Sequence, residues 1–329
     1  MKICHFIASR GLGRGEAYID LVNSLCLIMD IDLIIPKGAL YKNRIHPNIN
    51  VYEYDSKNSR KNPFLLFEIY ALIKKIKPDV VHTHFAKATE IFHPLNVWFL
   101  KLPHVATKHN PRKGKIFNKI PHVIAVSHGV AQSIDHQNVT IIYNGISPEK
   151  VVKEPKKNTP FQICAIGRLD PIKGFDILIN ECAKLNFDFE LLIIGDGEER
   201  EYLEALIQEN ALQKNVKLIG FQTAIPQFMA HADMVIMSSH SEGFSLVMVE
   251  ALFYANLFIS TKVSGATEIL DEKFLIDGFD IATKLNAIHH HQDEYKHAFS
   301  LLQQSIQKNF LLETITKQYQ KYYQNLLLQ

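Results

Sequence analysis

The sequence predicts an α/β protein built from two doubly wound domains. Short apolar runs of strand length alternate with helical patterns along almost the whole chain, which is typical of parallel sheets covered by helices. One polar segment, residues 149–160, is rich in Lys and Pro and interrupts this alternation. The chain has 329 residues, which is enough for two domains of ordinary size.

The first half contains seven predicted strands. Each is a run of apolar and β-branched residues bounded by polar or turn-forming positions. Helices are predicted between them, where apolar residues recur at helical spacing. The predicted strands are residues 3–8, 31–35, 51–54, 80–82, 104–107, 123–126 and 140–142, and the predicted helices are residues 15–29, 63–76, 86–100 and 127–134.

The second half repeats the same alternation. Its predicted strands are residues 162–166, 189–194, 216–219, 234–237 and 257–260, its helices are residues 173–186, 197–211, 224–231 and 246–255, and one or two further helices span residues 293–328. We therefore expect two Rossmann-like domains, residues 1–148 and 161–310, joined by the linker and followed by a terminal helix, 311–329, that packs back towards the first domain. Ligands of open parallel sheets bind at the carboxyl ends of the strands, so a cleft between facing domains is the expected site.

Composition and charge narrow the classes of partner. The chain is 47% hydrophobic and 21% charged, as in globular proteins. Residues 1–150 carry 20 Lys and Arg against 11 Asp and Glu, whereas residues 151–329 carry 16 against 23. The basic half is expected to meet an anionic partner, either a phosphorylated acceptor or an anionic membrane surface, or to serve solubility alone. No nucleic-acid partner is expected, because no zinc-finger or RNA-recognition pattern is found.

Cysteine usage and hydropathy point to the cytoplasm. The four cysteines are dispersed and read as reduced core thiols. We find no signal-peptide pattern and no apolar run of about 18 residues. We therefore expect a soluble protein, or one held peripherally at the inner face of the cytoplasmic membrane.

Two glutamates flank a predicted helix start in residues 241–250. The apolar run 234–237 reads as a buried strand, and Ser245 is a good N-cap for a helix beginning near residue 246. Free N–H groups at a helix N-terminus favour phosphate oxygens. Glu242 lies before that helix and Glu250 about one turn inside it, a layout that suits a nucleotide sugar. Taken alone, a pair of glutamates at this spacing is more often two solvated side chains.

Two cations and a glycine turn follow earlier strands of the same half. Arg168 and Lys173 lie between the end of one predicted strand and the next helix, where they could neutralise a diphosphate. Gly195 and Gly197 end the following strand, where a ligand could approach the backbone closely.

The ordered set of Gly-Arg-Leu, Lys-Gly, Gly-x-Gly and Glu-x7-Glu resembles the retaining glycosyltransferases of family 4, which have the GT-B fold. This resemblance implies that Arg168 and Lys173 bind the donor diphosphate and stabilise the leaving nucleoside diphosphate. It implies further that Glu242 holds hydroxyls of the donor sugar and that Glu250 accepts from the ribose. The remaining donor-side residues it implies are the backbone of Phe244, Ser245 and Leu246, and Glu268, whose motif departs from the family pattern at Ser264.

The resemblance also implies that no metal and no resident cofactor is needed, with a UDP-, GDP- or ADP-sugar as co-substrate. The only Asp-x-Asp, Asp30 to Asp32, begins a predicted strand and is read as structural. The run from His289 to His291 is read as a surface loop rather than a metal site, because adjacent side chains diverge in direction.

The loop after the first strand, residues 13–16, departs from the family's Gly-Gly-Ala-Glu by placing Arg14 between Gly13 and Gly15. The resemblance implies that this loop approaches the donor phosphate. Arg14, which stands where the family has its second glycine, would add a charge on the acceptor side. A dinucleotide fingerprint is the rival interpretation, but Glu16 stands where its third glycine should fall.

Two further segments of the first half are candidates for the acceptor side and the cleft. His84 ends a strand and, with the resemblance, is expected to contact the transferred sugar. Lys108, Arg112 and Lys113 belong to a basic segment that could hold an anionic acceptor or a membrane surface, or could simply be a solvated loop.

These features together predict a metal-independent enzyme that moves a sugar, with retention, to a hydroxyl of a growing cell-surface glycan such as lipopolysaccharide. Its partners would be a nucleotide sugar and a glycan or glycolipid acceptor. The alternatives are a nucleotide-sugar epimerase or a glycan phosphorylase on the same fold, or a catalytically silent carbohydrate-binding protein.

Overall fold

A computed structural model describes residues 1–11, 16–112, 114–135, 138–152 and 160–328. The chain separates into two compact units. The N-terminal unit comprises Met1–Ser147 and Asn309–Gln329, and the C-terminal unit comprises Pro148–Lys308. The last helix of the chain therefore belongs to the N-terminal unit.

The described residues of the N-terminal unit form a seven-stranded parallel sheet in the order β3-β2-β1-β4-β5-β6-β7. The chain runs outwards from β1 to β3 and then restarts on the other side of β1 with β4, so β1 and β4 mark the topological switch point. The strands are β1 (Lys2–Ile7), β2 (Asp30–Pro36), β3 (Asn50–Tyr54), β4 (Val80–His84), β5 (His104–Lys108), β6 (His122–Ala125) and β7 (Val139–Ile141). The helices are α1 (Ala17–Leu25), α2 (Pro63–Ile76), α3 (Phe85–Leu95) with a π-helical turn (Asn96–Leu100), α4 (His128–Gln132) and, at the end of the chain, α12 (Leu312–Leu327).

Both faces of this sheet are buried, because alternate side chains of each strand point to opposite faces. Ile3 and Ile7 of β1 pack in a cluster with α1 and α12, whereas Cys4 and Phe6 pack in a second cluster with α2 and α3. His5, between Ile3 and Ile7, therefore points to the α1 and α12 face. A histidine on a buried face needs polar partners for its ring nitrogens.

The C-terminal unit holds a six-stranded parallel sheet in the order β10-β9-β8-β11-β12-β13 among its described residues. Its strands are β8 (Phe161–Ile166), β9 (Phe189–Ile194), β10 (Val216–Gly220), β11 (Met234–Met237), β12 (Phe258–Thr261) and β13 (Leu275–Ile276). Its helices are α5 (Phe175–Cys182), α6 (Arg200–Glu209), α7 (Ile225–His231), α8 (Leu246–Tyr254), α9 (Ala266–Ile269), α10 (Ile281–His290) and α11 (Gln292–Ile306). The predicted α/β class with Rossmann-like sheets is confirmed.

The expectation of a surface loop at the histidine run is wrong. His289 and His290 end α10, and the His289 ring stacks on Phe187 with centroids 3.9 Å apart and planes 6° apart. Polar residues within α10 obscured its apolar face, which is formed by Ile281, Leu285 and Ile288. The histidine is thus a packing residue of the helix end.

A search of the described residues for a helix both long enough and apolar enough to cross a membrane finds none.

Candidate functional site

A lysine–glutamate ion pair lies at the carboxyl end of the sheet in the C-terminal unit. Lys173 Nζ donates a hydrogen bond to Glu242 Oε1 at 2.7 Å, and Ser239 Oγ donates to the same oxygen at 2.7 Å. The side chains of Lys173 and Glu242 are only 20% and 13% exposed. Because water screens such a pair incompletely, its charges act strongly on a ligand that reaches them.

The loop after β8 positions the lysine. Pro171–Lys173 forms a 3-10 turn, whose N-cap Asp170 accepts a hydrogen bond from the Ile172 N–H at 3.1 Å. Gly174 follows with φ +61°, and a Cβ on it would lie 2.4 Å from the carbonyl oxygen of Ser238. Glycine is therefore required where this loop crosses the end of β11.

The end of β11 is tied to the same loop through the backbone. The His240 N–H donates to the Ile172 carbonyl at 2.8 Å, and Ser238 Oγ donates to the Lys173 carbonyl at 2.9 Å. Thr261 Oγ1 on β12 holds the Ser239 carbonyl at 2.6 Å. Three neighbouring strand ends thus fix the positions of Lys173 and Glu242.

Arg168 lies on the same loop and is open to solvent. Its Nε donates to Asp170 Oδ2 at 2.5 Å, while its side chain is 57% exposed. Asp170 is buried and holds both this guanidinium and the 3-10 turn. Arg168 and Lys173, both predicted as donor-phosphate ligands, therefore come from one rigid loop.

The segment from Phe244 to Leu246 leads into α8, which begins at Leu246 as predicted. Ser245 is the N-cap residue by backbone conformation (φ −74°, ψ 127°), but its side chain makes no cap hydrogen bond. The first N–H groups of a helix have no partner within the helix, so this end of α8 favours an anion. Glu250 lies half-buried on the second turn.

Glu268, predicted on the donor side, caps its own short helix in this structure. Its Oε1 accepts from the Gly265 N–H at 3.4 Å. Gly265 has φ +82°, and a Cβ there would come within 2.9 Å of the Phe244 ring. The role of this glycine is to let α9 approach the segment before α8.

The structure gives Gly195, which was predicted on the donor side, a packing role in the fold. Gly195 has φ +144°, and a Cβ on it would lie 1.7 Å from the carbonyl oxygen of Gly167. A Cβ on Gly197 would lie 2.2 Å from the carbonyl of Leu169. The backbone that approaches these glycines is the loop that carries Arg168, so they position that loop.

This geometry predicts that Gly195→Ala strongly destabilises the C-terminal unit. A side chain would meet both an unfavourable φ and a backbone carbonyl that cannot move away cheaply, so we expect a loss of about 3 kcal/mol or more in the free energy of unfolding. Gly278→Ala is the matched control, because Gly278 also has positive φ (+51°) but has open space around it. Urea denaturation should show a loss of about 1 kcal/mol for the control; equal losses for both variants would contradict the account.

Histidines form a connected cluster at the switch point of the N-terminal unit. His5 and His82 are partners in the register of β1 and β4, and His84 lies two residues further on the same face. His5 Nδ1 and His84 Nε2 share a hydrogen bond of 2.9 Å, and His84 Nδ1 shares one of 3.2 Å with His109 Nε2. Tyr323 of α12 closes the cluster from above through its hydroxyl, 2.5 Å from His82 Nδ1.

Burial keeps these imidazoles neutral. It lowers the pKa of His5 and of His109 to about 3, and it holds the pKa of His82 and His84 well below the ordinary value, with the neighbouring histidines adding to the effect. His84 was predicted to contact a sugar. Both of its ring nitrogens are instead engaged with His5 and His109, so a ligand would have to replace one of these bonds.

The cluster also has the composition of a metal site, since His5, His82 and His84 bring one ring nitrogen each within 4.8 Å of one another. Hydrogen bonds already engage most of these ring nitrogens. In addition to the bonds above, His82 Nε2 bonds to Thr107 Oγ1 at 2.7 Å. His5 Nε2 is the one nitrogen of the three histidines without a partner in the described structure. The arrangement is that of a hydrogen-bonded network.

A depression of about 670 Å³ lies at the carboxyl ends of β1, β3 and β4. Its lining includes the exposed cations Arg10, Lys57 and Lys87 together with His84 and Phe85. None of the three cations pairs with a carboxylate within the described ranges. Phe85 begins α3 with φ +65°, a rare conformation for an aromatic residue. The first turn of α3 and three cations make this depression suitable for an anion.

The acceptor-side prediction requires correction at Lys108. This residue ends β5 and is buried, and its Nζ donates to Ser133 Oγ at 2.7 Å and to the Ser133 carbonyl at 3.1 Å. Its charge is therefore used inside the fold. Arg112 is exposed. Gly13, Arg14, Gly15 and Lys113 lie outside the described residues.

Two family models match the chain. The model described as "Glycosyl transferases group 1" matches residues 147–306, and the model described as "Glycosyltransferase Family 4" matches residues 31–150. Together they account for residues 31–306. The chain belongs to glycosyltransferase family 4. It is a glycosyltransferase with the GT-B fold class of two Rossmann-like units.

Curated relatives of this family 4 enzyme carry glycosyltransferase names. A glycosyltransferase of Methanocaldococcus jannaschii is 26% identical over 81% of this chain and 79% of its own length. The lipopolysaccharide core biosynthesis glycosyltransferase LpsE of Rhizobium meliloti is 25% identical over 80% of each chain.

Solved structures share the fold of this family 4 enzyme. The HepE protein of Anabaena, crystallised with UDP and glucose, has a TM-score of 0.83 at 19% identity and covers 99% of this chain and 100% of its own. A glycosyltransferase of Rickettsia africae has a TM-score of 0.84 at 21% identity, covering 99% and 98%. At these identities the likeness establishes the fold.

Proposed function

We propose that this glycosyltransferase takes a sugar from a nucleoside diphosphate donor and transfers it, with retention and without a metal, to a hydroxyl of a growing glycan or glycolipid. The observation that carries the proposal is the Lys173–Glu242 pair at the strand ends, with Arg168 on the same loop. It offers two cations to a diphosphate and a carboxylate to sugar hydroxyls.

In the free protein, Lys173 and Glu242 form an ion pair with each other. When the donor binds, Lys173 and Arg168 would form ion pairs with the diphosphate, and a sugar hydroxyl would donate a hydrogen bond to Glu242. Glu250 would accept from the ribose hydroxyls, and the N-terminal end of α8 would face phosphate oxygens.

In the reaction, the bond between the anomeric carbon and the phosphate oxygen breaks while the acceptor oxygen bonds to that carbon on the same face. The acceptor proton passes to the leaving phosphate oxygen. Arg168 and Lys173 stabilise the charge that develops on that phosphate, which is the larger part of the catalytic effect in this account.

The comparisons suggest which substrates to try first. HepE was crystallised with UDP and with UDP-glucose, which supports a UDP-sugar as the first donor to test ahead of GDP- and ADP-sugars. LpsE is named for lipopolysaccharide core biosynthesis, which supports a cell-surface glycan as product. We propose the cytoplasmic face of the membrane as the location of the enzyme. The depression lined by Arg10, Lys57 and Lys87 supports an acceptor that carries an anionic group.

A thermal-shift series with UDP, GDP and ADP tests nucleotide recognition. A nucleotide at about 100 times its Kd stabilises the folded state by about 2.7 kcal/mol, which raises the melting temperature by roughly 5–10 °C. The matching nucleoside without phosphates is the control, and we expect it to have little effect. No shift with any diphosphate, or an equal shift with the nucleoside, would contradict a diphosphate site.

A further inference from the structure

Five large apolar side chains stand exposed on one side of the N-terminal unit. Phe64 and Phe67 of α2 are 82% and 71% exposed, and Trp98 and Phe99 of the π-helical turn are 74% and 66% exposed, with Val97 beside them. The Tyr70 and Phe99 rings lie 6.1 Å apart and connect the two elements. We refer to Phe64, Phe67, Val97, Trp98 and Phe99 as the aromatic surface.

The sequence of α2 places two of these residues outward. Its buried stripe consists of Leu65, Ile69, Ile73 and Ile76. Phe64 and Phe67 fall on the opposite face, at helical spacing with Lys74. The Asn62 side chain caps the helix by accepting from the Phe64 N–H at 2.9 Å, so the start of this face is fixed.

The π-helical turn directs Trp98 and Phe99 outward through a proline and a pair of side-chain hydrogen bonds. Pro94 lies within α3 and cannot donate the usual helical hydrogen bond. Asn96 then holds Leu102 from both sides, with Nδ2 donating to the Leu102 carbonyl at 2.9 Å and Oδ1 accepting from its N–H at 2.8 Å. The turn between Asn96 and Leu102 is therefore held in one conformation, with its aromatic side chains exposed to solvent.

Positive charge predominates around the aromatic surface. Exposed lysines flank it in sequence, Lys61 before Phe64 and Lys101 after Phe99, and Lys74 lies on the outer face of α2. Glu90 is paired with Arg60, whereas Glu68 keeps its negative charge while it accepts from the Asp55 N–H at 3.3 Å. A partner at this surface therefore meets apolar rings and a net positive charge.

We propose that the aromatic surface docks the enzyme on an anionic lipid bilayer. Trp and Phe side chains partition into the interfacial region of a bilayer, and flanking lysines are attracted to anionic headgroups. A second copy of the chain fits less well, because a two-fold dimer through this patch would bring the lysines of both copies together. The proposal does not depend on the identity of the donor or the acceptor.

The sole tryptophan of the chain, Trp98, makes the test direct. Full-length protein is titrated with vesicles of phosphatidylcholine containing phosphatidylglycerol, and with vesicles of phosphatidylcholine alone. We expect a blue shift of Trp98 emission and quenching by lipids brominated near the headgroup with the anionic vesicles, weakened by added salt.

Three variants complete the experiment. Phe64→Ser/Phe67→Ser should weaken vesicle affinity by about tenfold or more, and Lys61→Gln/Lys101→Gln should weaken binding to anionic vesicles most at low salt. Leu40→Ser, at another exposed apolar position of the same unit, should bind like the parent. Circular dichroism establishes that each variant is folded.

Three outcomes would overturn the proposal. They are an unchanged Trp98 spectrum with both vesicle types, parental vesicle affinity in the Phe64/Phe67 variant, or a dimer in sedimentation that dissociates in that variant while vesicles have no effect.

Discussion

Replacing Lys173 by methionine should lower kcat by about 10²–10³, the usual loss when one charge-stabilising group is removed from a transition state. Lys173 is the cation closest to Glu242, with Nζ 2.7 Å from its Oε1, and the loop that carries it is fixed by Asp170 and Gly174. A methionine keeps the length of the side chain and removes its charge. Steady-state kinetics with saturating donor and acceptor would measure the effect.

Lys217→Met is the matched control for this prediction. Lys217 also pairs with a glutamate, Glu190, but it lies on β10 at the edge of the same sheet. We expect the control to retain parental kcat within about threefold, because an exposed ion pair contributes little to stability. A Lys173→Met enzyme that is folded and as active as this control would show that Lys173 has no role in catalysis.

Acidification should destabilise the N-terminal unit below about pH 6.5 and unfold it between about pH 5 and pH 3. Burial lowers the pKa of His5, His104 and His109 to about 3, from about 6.5 in an unfolded chain. The folded state therefore binds fewer protons than the unfolded state in this window. Stability is fully present above about pH 6.5 and is lost as the pH falls towards 3.

The loss of folding free energy on acidification is large compared with the total stability of a domain. Each such histidine contributes about 1.4 kcal/mol per pH unit below its unfolded pKa, so three contribute about 4 kcal/mol per unit. Domains are stable by only about 5–15 kcal/mol. Urea denaturation at a series of pH values, followed by circular dichroism, would measure the slope.

His104→Leu should reduce that slope by about 1.4 kcal/mol per pH unit, whatever it does to stability at neutral pH. His104 packs against Phe92 with ring centroids 4.7 Å apart, so an apolar side chain suits its surroundings. His128→Gln, at an exposed position of the same unit, controls for the loss of a histidine as such. A slope that is unchanged in His104→Leu would contradict the assignment of acid sensitivity to the buried histidines.

Sequence patterns predicted the strands and the donor-side helix well, because each depends on local signals. The run Met234–Met237 is entirely apolar and forms β11 with the predicted bounds. Helix α8 begins at Leu246 because Ser245 takes an extended, N-cap conformation. Lys173 and Glu242 are 69 positions apart, and the family motifs alone suggested that they belong to one site.

Features that depend on register or on packing between distant segments could not be predicted. His5 is a single polar residue within an apolar run of the sequence, and only the pairing of β1 with β4 brings it to His82 and His84. No sequence signal indicates that Gly195 also accommodates the carbonyl of Gly167, because that contact joins two separate loops. Lys108 looked like a loop residue because its partner, Ser133, is 25 positions away.

Product analysis with purified enzyme, a panel of UDP-, GDP- and ADP-sugars and candidate glycan acceptors distinguishes retaining sugar transfer from its alternatives. We expect one donor class to yield a glycosylated acceptor and free nucleoside diphosphate, with the anomeric configuration of the donor kept in the new linkage. We expect Lys173→Met to lose this product and Lys217→Met to keep it. A folded enzyme that gives an inverted linkage, a free epimerised sugar or sugar phosphate, or equal product in the two lysine variants would contradict these expectations.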